Sequence, residues 1–221
     1  MATKESDCKN TAKVEYQKHW DTAYTKNTTE KLGWFEEKAK QTISLISKSG
    51  LKKEATILNV GVGSSVLVDE LLADGYTNLI ANDLSEKALT TLKERLRDKA
   101  SKVTFIADDL LQPKKLDKLN DIDLWNDRAV LHFFLKEEEK AAYFSLLKQV
   151  VAKGGFVIIA VFALDGVEKC CGLELQRYNS EMLQERLGNQ FKLITAFNHT
   201  FVNPYGGKRP YIYTLFQRIN K

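Results

Sequence analysis

The chain has 221 residues, 43% of them hydrophobic, which is enough for one sizeable core and excludes an intrinsically disordered protein. Its 33 basic and 29 acidic residues are spread along the length and leave a net charge of only +4, so no dedicated nucleic-acid surface is expected. No apolar run is long enough to span a membrane, and the first ten residues lack the apolar core of a secretory signal, so the expected location is the cytoplasm.

In chain order, the spacing predicts a short aromatic-rich helix over about Thr11 to Tyr24 and a second helix from about Trp34 to Ser47, with Phe35, Ala39, Ile43 and Ile46 on one face. Strand Thr56–Val60, helix Ser65–Asp74 and strand Thr77–Asn82 follow. Ser85 is placed as the N-cap of a helix whose Leu89, Leu92 and Leu96 form an apolar stripe. Strands Val103–Ala107 and Asp121–Asn126 come next, then a helix from Lys136 to about Ala152 closed by Gly154 and Gly155. Gly155–Phe162 is continuously apolar, as a parallel strand buried on both faces must be. A loop over Ala163–Tyr178, long enough to be functional, precedes a short helix near Ser180–Leu187. Two β-type segments, Phe191–Val202 and Pro210–Ile219, flank a turn with Pro204, Gly206 and Gly207 and read as a hairpin. The fold class is therefore α/β: a Rossmann-like, doubly wound, seven-stranded sheet, mostly parallel, with a C-terminal antiparallel hairpin. Residues 1–221 read as one domain, with 1–48 as an N-terminal helical cap.

The segment Thr56 to Asp83 carries the chemistry: a buried strand, a glycine turn, a helix, and a second strand ending in an acid. A dinucleotide site wants G-x-G-x-x-G, because backbone must approach a pyrophosphate at the helix N-terminus. Gly61 and Gly63 fit, but Val66 fills the third place and breaks the NAD pattern. S-adenosyl-L-methionine has no phosphate and needs only the close backbone approach that two glycines give. Asp83, with Leu84 beside it, is placed to accept hydrogen bonds from two ribose hydroxyls.

From these residues the chain resembles the class I S-adenosylmethionine-dependent methyltransferases. It departs from their motif at Asn59, where an acid is usual, and at Ser65, where a third glycine is usual. The resemblance implies that Asp109 or Asp108, in VTFIADDL, meets the adenine amine, and that DIDLWNDRAVLHFF forms the edge of the active site. The latter string is similar to one small, mostly bacterial subgroup with DLW-x-DRAV-x-HFL and a later CSGL-x-x-x-RY, matched here by Asp123–Phe134 and by Cys171, Gly172, Leu173, Arg177 and Tyr178. The segments HWDTAY and LGWFE resemble the cap of a related set that includes protein-lysine methyltransferases.

Methyl transfer from a sulfonium asks the protein mainly for alignment and desolvation. Asp127, Arg128 and His132 fall at the carboxyl end of the fourth strand, where open α/β sheets bind ligands. His132 could take a proton from an amine, hydroxyl or thiol, or simply pack. Asp127 could hold the methionine amino group or orient the acceptor, and Arg128 could meet an anionic acceptor or form an ion pair. Tyr16, Trp20, Tyr24 and Trp34 are candidates for a lid with a ring face near the sulfonium, Trp20 foremost. Arg177, Tyr178, His199 and Tyr205 are candidates for the acceptor pocket. The three cysteines, Cys8, Cys170 and Cys171, show no metal-ligand spacing. They are reduced bystanders, or the adjacent pair lines the pocket and takes a soft metalloid or a thiol. The expected function is methyl transfer to a nitrogen, oxygen or sulfur of a small molecule, with a protein lysine as the alternative acceptor. A module that binds the cofactor without turnover and an NAD-dependent oxidoreductase stay open as further classes.

Overall fold

A computed structural model describes residues 16–219. The start of the first expected helix, residues 11–15, and Cys8 lie outside them. The helices are α1 (residues 16–26), α2 (Lys40–Ser49), α3 (Leu67–Ala73), α4 (Glu86–Leu96), α5 (Glu137–Val150) and α6 (Ser180–Leu187). The strands are β1 (Thr56–Val60), β2 (Asn78–Asp83), β3 (Val103–Ala107), β4 (Ile122–Arg128), β5 (Val151–Phe162), β6 (Lys169–Cys170), β7 (Leu173–Glu174), β8 (Phe191–Val202) and β9 (Lys208–Arg218).

Seven strands make one sheet in the order β3-β2-β1-β4-β5-β9-β8. The first five run parallel, β9 is antiparallel to β5, and β8 and β9 form the expected hairpin. Because successive side chains of a strand point to opposite faces, each strand feeds two cores. Ile57 and Leu124 join α2, α3 and α4 on one face; Leu58 and Trp125 join α5 and α6 on the other. Each such aliphatic side chain, fully removed from water, contributes about 1.5–3 kcal/mol. The strand order reverses between β1 and β4, and the carboxyl ends of these strands open the crevice in which such sheets bind ligands.

Two boundaries differ from the sequence reading by four residues or more. The second helix begins at Lys40 rather than Trp34, because tertiary partners claim the backbone before it. The Trp34 carbonyl accepts from Arg128 Nη1 at 3.2 Å, and the Ala39 amide donates to Glu70 Oε2 at 3.0 Å. The fifth helix ends at Val150 and β5 starts at once, so Gly154 and Gly155 lie within the strand. Pairing with β4 jumps from Ile122↔Val151 to Leu124↔Phe156. Gly154 has φ +81°, and a Cβ on Gly155 would sit 2.9 Å from the Ala152 carbonyl. The two glycines thus build a bulge in the strand instead of stopping the helix. Ser85 does cap α4: its Oγ accepts from the Ala88 amide at 3.1 Å, a bond worth about 1 kcal/mol. Among the described residues no helix is long and apolar enough to cross a membrane.

Candidate active site

The glycine turn follows β1 with Gly61 and Gly63 both left-handed, at φ +55° and +54°. A Cβ on Gly61 would lie 2.0 Å from Val130 Cγ2, and one on Gly63 would lie 2.2 Å from the Tyr24 hydroxyl. The first glycine therefore lets the chain after β4 close on the turn, and the second lets α1 press down from above. Arg95 of α4 holds the turn from behind, donating to the Ser65 carbonyl at 2.6 Å and also to that of Ser64, while it pairs with Asp69 at 2.6 Å. Nothing in the motif spacing marked Arg95; its role comes from the packing of α4 beside α3.

Above the turn lies a cavity of about 1010 Å³. Its floor is Gly61, Asn82, Asp83 and Leu84; one wall is Asp108, Asp109 and Leu110–Gln112; the opposite wall is Arg128–Val130, His132 and Tyr211. The roof is aromatic, from Tyr16, Trp20, Tyr24 and Trp34. Trp20 meets Trp34 edge-on at 5.8 Å and Phe133 at 5.0 Å, and Tyr24 meets Trp34 at 5.7 Å. Trp20, Tyr24 and Trp34 of the expected lid thus form one ring cluster with Phe133, and Tyr16 lines the cavity beside them. Tyr211, a wall residue the sequence reading did not single out, is brought here by the antiparallel pairing of β9 with β5, opposite Phe162.

Asp83 ends β2 on the cavity floor. Its Oδ2 accepts from the Gly63 amide and its Oδ1 from the Ser85 amide, both at 2.8 Å, which fixes the carboxylate and leaves each oxygen a further lone pair. Burial pushes its pKa up to about 6, against the pull of these amides and with a push from Asp21. The two acids after β3 differ. Asp108 folds its carboxylate into its own loop, accepting from the amides of Lys114, Lys115 and Leu116; burial raises its pKa, but these bonds outweigh it and hold the group below the usual range. Asp109 accepts from the Leu111 amide at 2.9 Å and shares the cavity wall.

The residues after β4 separate as well. Asp127 does not reach the cavity: it lies on the Trp125 face of β4, fully buried, with its carboxylate held by the Tyr143 hydroxyl at 2.7 Å and the amides of Val130 and Leu131. Its pKa too is pushed up to about 6 by burial. Strand alternation turns it towards α5, away from the cavity where the sequence reading had it meet cofactor or acceptor. Arg128, on the other face, lines the cavity but is committed to the cap: it pairs with Glu36 at 3.2 Å, donates to Tyr213 Oη and the Trp34 carbonyl, and lies over Phe201 and Tyr211. His132 sits on a 3-10 turn, Leu131–Phe133, among Phe133, Phe162 and Tyr211, with Nδ1 buried and unpartnered. Burial, aided by Arg128, holds its pKa down to about 3, so the imidazole is neutral.

Asn59 is under the glycine turn rather than in the main cavity, and its Oδ1 accepts from Asn126 Nδ2 at 2.9 Å. Its own Nδ2 has no partner. The four candidates for the acceptor pocket do not converge there. Arg177 bonds to Gly166 and Glu168, Tyr178 is buried in the second core, His199 meets Gln41 on β8, and Tyr205 donates to the Lys31 carbonyl at 2.5 Å on the outer surface. In their place the loop between β5 and α6 brings Cys170 and Cys171 to the cavity wall.

Residues 57–155 match a family model described as a methyltransferase domain. The chain is similar to EEF1A lysine methyltransferase 2 of Danio rerio, 27% identical over 162 residues, covering 67% of this chain and 69% of that protein. Its Mus musculus counterpart is 27% identical over 161 residues, covering 64% of each. The chain thus spans about two thirds of the length of these curated relatives. Among solved structures, a SAM-dependent methyltransferase from Anabaena variabilis superposes with TM-score 0.75 at 14% identity, covering 94% of this chain and 95% of that one. The N-methyltransferase NodS from Bradyrhizobium japonicum, in complex with S-adenosyl-L-homocysteine, gives 0.70 at 13% identity, covering 92% and 98%. These likenesses are of fold. The matched domain makes the protein a methyltransferase, and its fold is the one seen in S-adenosylmethionine-dependent methyltransferases.

Proposed function

We propose that this S-adenosylmethionine-dependent methyltransferase acts on a small-molecule nucleophile, within the cytoplasm, as one domain whose described N-terminal residues, from Tyr16 to Trp34, cap the cavity. The observation that carries this reading is the size of the space over the glycine turn. At about 1010 Å³ it stands at the top of the range of about 300–1,000 Å³ usual for a single ligand, which leaves room for cofactor and a small acceptor together.

The residues on the floor suit the cofactor. Gly61 meets the cavity with backbone alone, beside Val130, Asp83 has lone pairs to spare for ribose hydroxyls, and Leu84 gives adenine an apolar edge. Asp109 meets the adenine amine from the cavity wall, and Asp108 shapes the loop that presents it. Gly63 supplies the amide that orients Asp83. Asn59 steadies the turn from below, with its unpartnered Nδ2 facing the small cavity there. When bound, the cofactor supplies an activated methyl group on a cationic sulfur. Trp20 and the rest of the roof exclude water and offer ring faces to that cation. Arg128 holds the cap through Glu36 and Trp34, and Asp127 holds the turn that carries His132. A neutral imidazole with a pKa near 3 is a weak general base, so His132 accepts a hydrogen bond from the nucleophile rather than removing a full proton. The acceptor therefore arrives with its nucleophilic lone pair already free: a neutral amine, which keeps an N–H for that bond, fits best, and a hydroxyl or thiol must ionise in solution first.

The second reading is a protein lysine, favoured by the two curated relatives. A basic peptide needs an acidic approach. The groove outside the roof, beside Cys171 and Trp34, carries Lys18, His19 and Lys31 and no acid, which favours a neutral or anionic acceptor. The test is calorimetry with S-adenosylmethionine, S-adenosylhomocysteine and NAD, followed by a methyl-release screen of small nucleophiles against lysine peptides. Micromolar binding of both sulfur ligands with turnover only on small molecules supports the proposal; turnover on peptides alone replaces the acceptor, and binding of NAD alone removes the reading altogether.

A further inference from the structure

Cys170 and Cys171 are neighbours in sequence, and neighbours in a strand send their side chains to opposite faces. Here they do not diverge, and the two sulfurs are 3.6 Å apart. The cause is the turn. β6 and β7 are joined by the two residues Cys171 and Gly172, both left-handed at φ +53° and +80°, the backbone of a type I′ hairpin. A cysteine at the first of these places is unusual, since Asn, Asp and Gly are the residues that take this conformation readily. Its left-handed backbone breaks the alternation and swings Cys171 Sγ round beside Cys170 Sγ. Both side chains reach the wall of the large cavity, Cys170 half-buried and Cys171 exposed.

We propose that this vicinal dithiol is a binding site for a soft, three-coordinate metalloid that carries one organic substituent, a trivalent organoarsenical or its antimony equivalent. Thiolates select soft partners over hard ones. With bonds of about 2.3 Å to a shared atom, sulfurs 3.6 Å apart subtend about 100° there, the angle of a pyramidal centre and far from the straight line of a two-coordinate ion. No group of three His, Cys, Asp or Glu side chains among the described residues could hold a metal ion, so the bound centre must bring its third substituent with it. Closure to a disulfide is disfavoured, because adjacent Cα atoms are about 3.8 Å apart whereas disulfides span about 4.4–6.8 Å. One thiol of the pair ionises more readily than the other: the bond from Cys171 lowers the Cys170 pKa against its burial, with Arg209 assisting, and raises that of Cys171.

The ligation involves no change of oxidation state. With phenylarsine oxide, two S–H bonds and the As–O link break, two As–S bonds form, and the oxygen leaves as water with both thiol protons. The site stands independently of the methyl acceptor and of the cofactor.

Intact-mass spectrometry of the full chain with phenylarsine oxide is the test, run on the native protein and on Cys8→Ser, Cys170→Ser and Cys171→Ser, with thermal melting as the check of folding. The expected result is one phenylarsenic group per chain in the native protein and in Cys8→Ser, released by a dithiol but not by a monothiol. Each of the other two variants should bind on the order of 100-fold more weakly, because the second bond of a chelate forms at high effective concentration. Retention of full affinity by either variant, loss of it in Cys8→Ser, or release by a monothiol would overturn the proposal.

Discussion

The ends of β2 and β4 carry two aspartates that look alike in every local respect. Asp83 and Asp127 are both buried, both bonded to two backbone amides, at least one of them in the turn that follows, and both pushed up to about 6. Yet Asp83 lies on the floor of the cavity, while Asp127 is spent on Tyr143 in the opposite layer. A buried, perturbed carboxylate at the carboxyl end of a strand is therefore not enough to mark a ligand site; the face of the sheet decides.

The largest effect should separate the two at once. Asp83→Ala removes charge-assisted bonds to ribose, each worth about 1.5–3 kcal/mol, so calorimetry should show S-adenosylmethionine binding weakened on the order of 100-fold. Next, both acids should give the fold a pH dependence of one sign. Their folded pKa lies above the unfolded value, so the folded state holds more protons between about pH 4 and 6. Stability from them is full below that window and is lost as pH rises through 6, on the order of 3 kcal/mol per carboxyl. Denaturant titrations across the window should show this fall, and Asp127→Asn should halve it.

Tyr143→Phe sharpens the contrast from the other side. It leaves the Asp127 carboxylate short of one donor in a buried place and should cost about 1–3 kcal/mol in a urea melt with cofactor affinity unchanged. If binding fell with it as far as in Asp83→Ala, the two carboxylates would form one site after all. The smallest effect is expected at His132→Gln: less than a tenfold change in kcat, and no limb near pH 6.5 in the pH–rate profile of the native enzyme, since the imidazole there stays neutral.

Much of this was legible before any fold was known. Periodicity placed every strand of the large sheet to within four residues, and Ser85 as a cap needed only its own side chain and the stripe of Leu89, Leu92 and Leu96 behind it. Gly61, Gly63 and Asp83 were readable because a close backbone approach and a strand-end acid are local requirements. The misreadings share one cause. Gly154 and Gly155 stop helices in general but bulge a strand here, and Trp34–Ala39 has a helical pattern but gives its backbone to Arg128 and Glu70. In both, a partner distant in sequence outbid a local preference.

The sequence by itself determined the alternation of strands and helices, the glycine turn, and the acid that follows it, because each depends on bonds a short stretch makes with itself. Only the tertiary structure decided which strand-end aspartate faces the cavity, that Arg128 is occupied by Glu36, and that two adjacent cysteines turn the same way. Those outcomes depend on which layer packs against each face and on one left-handed residue, and neither can be read from spacing along the chain.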